Sequence, residues 1–156
     1  MIHNDVLRSV RYMLNITDGK IAEIAKLPEG FELSKTDVIA YMKIEGEEGY
    51  LQCSDEVMAH FLDGLVIHKR GRDKTRPPQQ VTWPITNNIV LKKLRVAFEL
   101  KEDDIHEILN LAGFKVSNPE VSALFRKEGH KHYRHCGDQF LRNFLKGLTQ
   151  RIRPTK

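Results

Sequence analysis

Cysteine is scarce in this chain, with Cys53 and Cys136 the only two in 156 residues. A disulfide framework is therefore not the organising device, and two thiols without a secretory leader fit a reduced, cytoplasmic protein. The opening "MIHNDVLRSVRYMLNI" has no charged stretch followed by an apolar one, so no signal peptide is expected. No apolar run approaches the ~20 residues of a membrane span, and no membrane partner is expected. Neither a P-loop nor a GxGxxG segment occurs, which removes the commonest phosphate-cradling chemistry. Alternation of apolar and polar residues is weak and Asn-Gly is missing, so strands are not expected. Tryptophan occurs once, at Trp83 before Pro84, where it is suited to anchor the return of a connecting segment.

What the chain does have is an ordinary soluble balance, 40% apolar and 29% charged, and a duplication. "NDVLRSVRYMLNITDGKIAEIAKL" from Asn4 aligns with "NIVLKKLRVAFELKEDDIHEILNL" from Asn88. After one extra residue in the first copy, "GFELSKTDVIAYMKIEGEEGYLQCSDEVMAHFLDGL" aligns with "GFKVSNPEVSALFRKEGHKHYRHCGDQFLRNFLKGL". About 22 of roughly 61 paired positions are identical, which marks a repeat. The organisation expected is a first repeat at 1–66, a basic, proline-containing and extended linker at 67–86, and a second repeat with a basic tail at 87–156.

Each copy reads as four short helices, so the fold expected is all-α. In the first copy Val6, Leu7, Val10, Met13 and Leu14 share one helix face behind an Asn4-Asp5 cap. A second helix carries Ile21, Ile24 and Leu27 and is expected to stop near Gly30. The third opens with Ser34-x-x-Asp37 or Ser117-x-x-Glu120, the latter a capping box, and is expected to end at Gly46 or Gly129. The fourth starts near Asp55 or Asp138, with Val57, Met58, Phe61, Leu62 and Leu65 along one side. A unit of about 65 residues is marginal alone, so the two are expected to pack as one pseudo-twofold globule. Gly64 and Gly147 sit inside the fourth helices, where glycine costs about 1 kcal/mol relative to alanine. The reason expected is close approach of another backbone, with the two fourth helices crossing at the pseudo-twofold axis.

The segment "EGHKHYRHCGD" suggests a metal or catalytic cluster, since three histidines and a cysteine satisfy zinc's ligand count. Its counterpart "EGEEGYLQCSD" keeps Glu, Gly, Tyr, Cys and Asp but none of the histidines. The shared letters have structural roles: Gly46 and Gly129 in turns, Asp55 and Asp138 at helix starts, and Tyr50, Tyr133, Cys53 and Cys136 as plugs of the core. His130, His132 and His135 are read as solvated loop residues on a scaffold that works without them. His60 is read as a satisfied, partly buried histidine and His106 as part of a solvated helix face. No catalytic residue, metal site or cofactor is expected.

Charge separates the copies. Residues 1–66 carry a net −6, residues 67–86 a net +4 and residues 87–156 a net +6. A non-enzymatic protein-interaction or adaptor role is the leading expectation, through an unidentified protein partner or head-to-tail self-association of unlike halves. Nucleic-acid binding is the alternative, through one basic face built from Lys69, Arg70, Arg72, Lys74, Arg76, Arg126, Lys127, Lys131, Arg134, Arg151 and Arg153. "DDIHEILNLAGFKVSNPEVSALFRKEG" also suggests a helix–turn–helix, although Glu120 in its second helix would face phosphates unfavourably.

The doubled motifs, "FLDGL" with "FLKGL" and "EGEEGYLQC" with "EGHKHYRHC", resemble those of the YehS family over nearly the whole chain. The resemblance implies a duplicated helical architecture, a bacterial source and a cytoplasmic protein. It implies no activity, cofactor or catalytic residue.

Overall fold

The structure, a computed structural model, describes residues 1–77 and 79–154. Pro78 of the linker, and Thr155 and Lys156 of the basic tail, lie outside the described residues. The described residues form α-helices and no strands, in two compact units, Met1–Ile85 and Thr86–Lys156. The first unit holds α1 (His3–Leu14), α2 (Asp18–Ala25), α3 (Lys35–Met42) and α4 (Asp55–Arg70). The second holds α5 (Asn87–Ala97), α6 (Glu102–Leu111), α7 (Asn118–Leu124) and α8 (Asp138–Ile152). The all-α, four-helix repeat expected from the sequence is what the chain forms. No helix among the described residues is long and apolar enough to cross a membrane.

Local chemistry sets most helix starts. The hydroxyls of Thr17, Ser34, Ser54 and Thr86 accept the N–H three residues on, at 3.1, 3.1, 3.2 and 3.3 Å. Ser117 and Glu120 form the expected capping box, each satisfying the other's backbone N–H at 3.3 Å. Each such cap stabilises its helix by about 1 kcal/mol. α1 departs from expectation, because its N-cap is Ile2 and Asn4 lies inside the helix. Asp5 does the capping from within the first turn, its carboxylate accepting the Ile2 N–H at 3.3 Å.

Helix ends come earlier than the glycines suggested. α2 stops at Ala25, ahead of Leu27-Pro28, because proline supplies no N–H and pushes the preceding residue out of helical space. α3 and α7 stop at Met42 and Leu124, four residues before Gly46 and five before Gly129. Those glycines instead occupy the third position of turns closed by Glu47 N–H on the Ile44 carbonyl and His130 N–H on the Lys127 carbonyl, each 3.0 Å. Their φ values of 98° and 94° are what a type II turn demands. α1 and α5 end on left-handed residues that are not glycine, Asn15 (φ 53°) and Glu99 (φ 54°).

The core of each unit is gathered under its last helix. α4 buries Val57, Met58, Phe61, Leu62 and Leu65 as expected, and α8 buries Leu141, Phe144, Leu145 and Leu148. Gly64 and Gly147 are both buried, and a backbone does approach them. It is the backbone of the same unit's second helix, which corrects the expected crossing of the two fourth helices. A Cβ on Gly64 would lie 1.8 Å from the Ile24 carbonyl oxygen, and one on Gly147 would lie 1.9 Å from that of Ile108. No side chain fits there, so α4 against α2, and α8 against α6, pack at a separation that only glycine permits.

α4 continues to Arg70, and the segment beyond it returns to its own unit. Arg72 donates to the Leu27 carbonyl, Ile85 is buried, and Trp83 stands 6.1 Å from the His60 ring. Residues 71–77, 79, 80 and 82–84 are exposed.

Candidate functional site

The two units place the same corner at the same point of the repeat, between third and fourth helices, and a buried asparagine holds each corner in place. In the first unit Asn4 is completely buried; its Nδ2 donates to the carbonyls of Tyr41 (3.1 Å) and Leu51 (2.9 Å). Its Oδ1 accepts the Cys53 N–H at 2.8 Å. Asn88 repeats every bond, donating to Leu124 (3.0 Å) and Arg134 (2.8 Å) and accepting from Cys136 at 2.8 Å. Two donors and one acceptor in one plane are what a primary amide offers, so asparagine satisfies three buried main-chain groups at once. The Leu51 N–H adds a bond to the Ala40 carbonyl (3.3 Å), as Arg134 does to Ala123 (3.1 Å). A second tie joins the start of the first helix to that of the fourth: His3 to Asp55 at 2.5 Å, and Asn87 to Asp138 at 2.8 Å.

What the corners present to solvent differs, although Glu45 and its aligned partner Glu128 are exposed on both. In the first unit Ile39, Ile44 and Leu51 are 40%, 65% and 44% exposed beside exposed Glu45, Glu47 and Glu48. Glu47 accepts the Ile44 N–H at 2.9 Å, and the Lys43 ammonium donates to the Glu48 carbonyl at 2.8 Å, so the corner is ordered locally. The aligned positions in the second unit are Ser122, Lys127 and Arg134. Arg126, Lys127, Lys131 and Arg134 are all exposed there, together with His130, His132 and His135.

The histidines and Cys136 do not converge. His130 Nδ1 accepts the His132 N–H at 3.0 Å and the two rings stand 5.6 Å apart, whereas Cys136 is buried with its thiol directed at the Gly137 carbonyl, 3.6 Å away. Among the described residues no group of three or more His, Cys, Asp or Glu is arranged to hold a metal ion. Burial, helped by the nearby Asp138 carboxylate, pushes the Cys136 thiol up to about 12, and burial with Asp55 does the same to Cys53. Both thiols are free and protonated near neutral pH, which leaves them weak nucleophiles. Cys53 and Cys136 plug the core as expected, but Tyr50 and Tyr133 are only half-buried.

The remaining basic residues are divided. Arg151 binds Asp104 at 2.7 Å with Glu107 at 3.8 Å, and Arg153 caps the end of α8. α8 is 15 residues long, about 22 Å, so these two arginines stand at the opposite end of the helix from the α7–α8 corner. In the first unit Lys69 and Arg70 end α4, Arg72 is tied to Leu27, Lys74 is exposed and Arg76 pairs with Asp73 at 3.5 Å. The helix–turn–helix expectation does not hold either. Six residues separate α6 from a seven-residue α7, longer than the three or four of that motif.

His60 is buried and satisfied, its Nδ1–H donating to the Glu56 carbonyl at 2.9 Å and its ring stacked 4.0 Å from Phe31. His106 is not on a solvated face, since its Nε2 is buried and has no hydrogen-bond partner among the described residues. The asparagine clamp was the feature missed in the sequence. Its signal was present, because Asn4 and Asn88 are identical partners just as Cys53 and Cys136 are, but asparagine at a helix start reads as a cap.

Comparison with known proteins agrees with this duplicated build. The family model described as "Protein of unknown function (DUF1456)" matches twice, at residues 3–71 and 87–153. The chain is 46% identical over 151 residues to "Uncharacterized protein YehS" of Escherichia coli (strain K12), covering 97% of this chain and 96% of that protein. No solved structure matches. With its domain matched in both halves, the chain belongs to the DUF1456 family.

Proposed function

We propose that this protein is a non-enzymatic interaction module whose protein-binding surface is the α3–α4 corner. The observation that carries the reading is the exposure of Ile44 and Leu51 on a corner fixed from beneath by Asn4. Exposed apolar side chains on a mobile loop are commonplace, but here the backbone is held in one shape, so a partner meets a surface ordered beforehand. Three exposed glutamates flank the apolar pair and favour a partner that is basic around an apolar centre. The double substitution Ile44→Asp and Leu51→Asp tests this, because both side chains point to solvent and the core is untouched. Affinity capture from cell extract is expected to recover a partner with the wild-type chain and lose it with the variant. Identical recoveries from the two chains would sink the reading.

Nucleic-acid binding keeps one specific support, the exposed Arg126, Lys127, Lys131 and Arg134 on a single loop. Fluorescence anisotropy with labelled single-stranded DNA, duplex DNA and RNA at two salt concentrations tests it. On this reading affinity falls steeply with salt and drops again in the Arg126→Glu, Lys127→Glu variant.

A further inference from the structure

We infer that the partner of the α3–α4 corner is the α7–α8 corner of a second copy of this chain; the inference rests on the reading of that corner as a protein-binding surface. The two corners are the same backbone construction, clamped through the same three hydrogen bonds by Asn4 and Asn88. Their net charges are opposite: Glu45, Glu47 and Glu48 on one, and on the other Arg126, Lys127, Lys131 and Arg134, which outnumber Glu128, all exposed. Charge is matched by shape chemistry. Long basic side chains lay their aliphatic stems on apolar surface while their charged ends reach outward, so the stems of Lys127, Lys131 and Arg134 suit Ile44 and Leu51. The ends of those same side chains then meet the glutamates.

Every copy carries one corner of each kind, so the contact is heterologous. It leaves an unused corner at each end and adds further copies until a ring closes or a chain runs on. Two corners bury less than the area of a stable standard interface, which makes the contact weak, concentration-dependent and salt-sensitive.

Sedimentation velocity of the full chain across a concentration range, at low and high salt, tests this. The weight-average mass is expected to climb above that of the monomer with concentration at low salt, with affinity falling at least about tenfold at high salt. Glu45→Lys with Glu48→Lys, and separately Lys127→Glu with Lys131→Glu, are each expected to abolish association. Mixing these two variants is expected to restore it, because each then offers what the other needs. A wild-type chain that stays monomeric at low salt overturns the inference, as does a mixture that fails to recover, or association that nuclease treatment removes. A wild-type chain that does not self-associate, yet recovers from extract a different protein that the Ile44→Asp, Leu51→Asp variant loses, would leave the corner a protein-binding surface and refute only its partner.

Discussion

In the first unit the stretch between third and fourth helices shows isoleucine, leucine and glutamates; in the second it shows lysines, arginines and histidines. Underneath, Asn4 and Asn88 make the same three bonds, Cys53 and Cys136 fill the same hole, and Gly64 and Gly147 meet the same carbonyl. The difference shows where each kind of constraint acts. Groups that satisfy main-chain atoms or fix an interhelical distance are held, and the exposed positions have moved on balance from apolar and acidic to basic, with Glu45 and Glu128 kept. The corner at the other end of the long helix diverged too. Asp104 and Arg151 attract at 2.7 Å in the second unit, whereas the aligned positions of the first are Lys20 and His68. There burial and the Lys20 and Lys69 charges lower the His68 pKa.

The largest effect expected is at the glycines. Gly64→Ala and Gly147→Ala each set a methyl against a backbone carbonyl, and each is expected to cost at least about 3 kcal/mol in urea unfolding. A variant of either that melts like the wild type would break the equivalence of the two packings. The asparagines come next. Asn4→Ala and Asn88→Ala leave two carbonyls and an N–H unsatisfied, a loss of about 2–4 kcal/mol. Asn→Asp at either position keeps the acceptor but turns a carboxylate on two carbonyls, and is expected to be no better than alanine.

A smaller effect separates the left-handed residues. Asparagine tolerates that conformation and glutamate does so poorly, so Glu99→Asn is expected to stabilise by about 0.5–1 kcal/mol and Asn15→Glu to destabilise by a similar amount. The smallest is electrostatic and is read by NMR titration. His68 in the wild type is expected to titrate below the ordinary imidazole range and to move upward in Lys20→Asp, which imports the second unit's arrangement. Because the folded state disfavours the His68 proton, stability contributed through this group falls as pH drops through that range. An unchanged midpoint in Lys20→Asp would show that Lys20 is not a cause of the shift.

Much of the fold was legible because the chain states it twice. Helix faces such as Val6, Leu7, Val10 and Met13 follow from spacing, and Ser34 and Ser117 announce their helices by hydroxyl chemistry. The glycines were legible as a demand for close approach, but their partner was not, since sequence carries no distance and α2 was as eligible as another α4. Helix ends were misjudged where glycine was taken as a terminator, when proline at Pro28 and the turns at Gly46 and Gly129 set the path. The apolar trio of Ile39, Ile44 and Leu51 escaped notice because isolated apolar letters read as core until burial is known.

The asparagine clamp has a consequence for what this scaffold can carry. It grips carbonyls and an amide, groups that every residue but proline supplies in full, and between its two anchor points the turn glycine is the residue whose backbone geometry restricts its replacement. The exposed side chains of that stretch can therefore be rewritten while the turn glycine and the buried cysteine stay as they are. The two repeats already carry different surfaces on that frame, and a library of such surfaces grafted onto it would make the domain a display scaffold for selected binders.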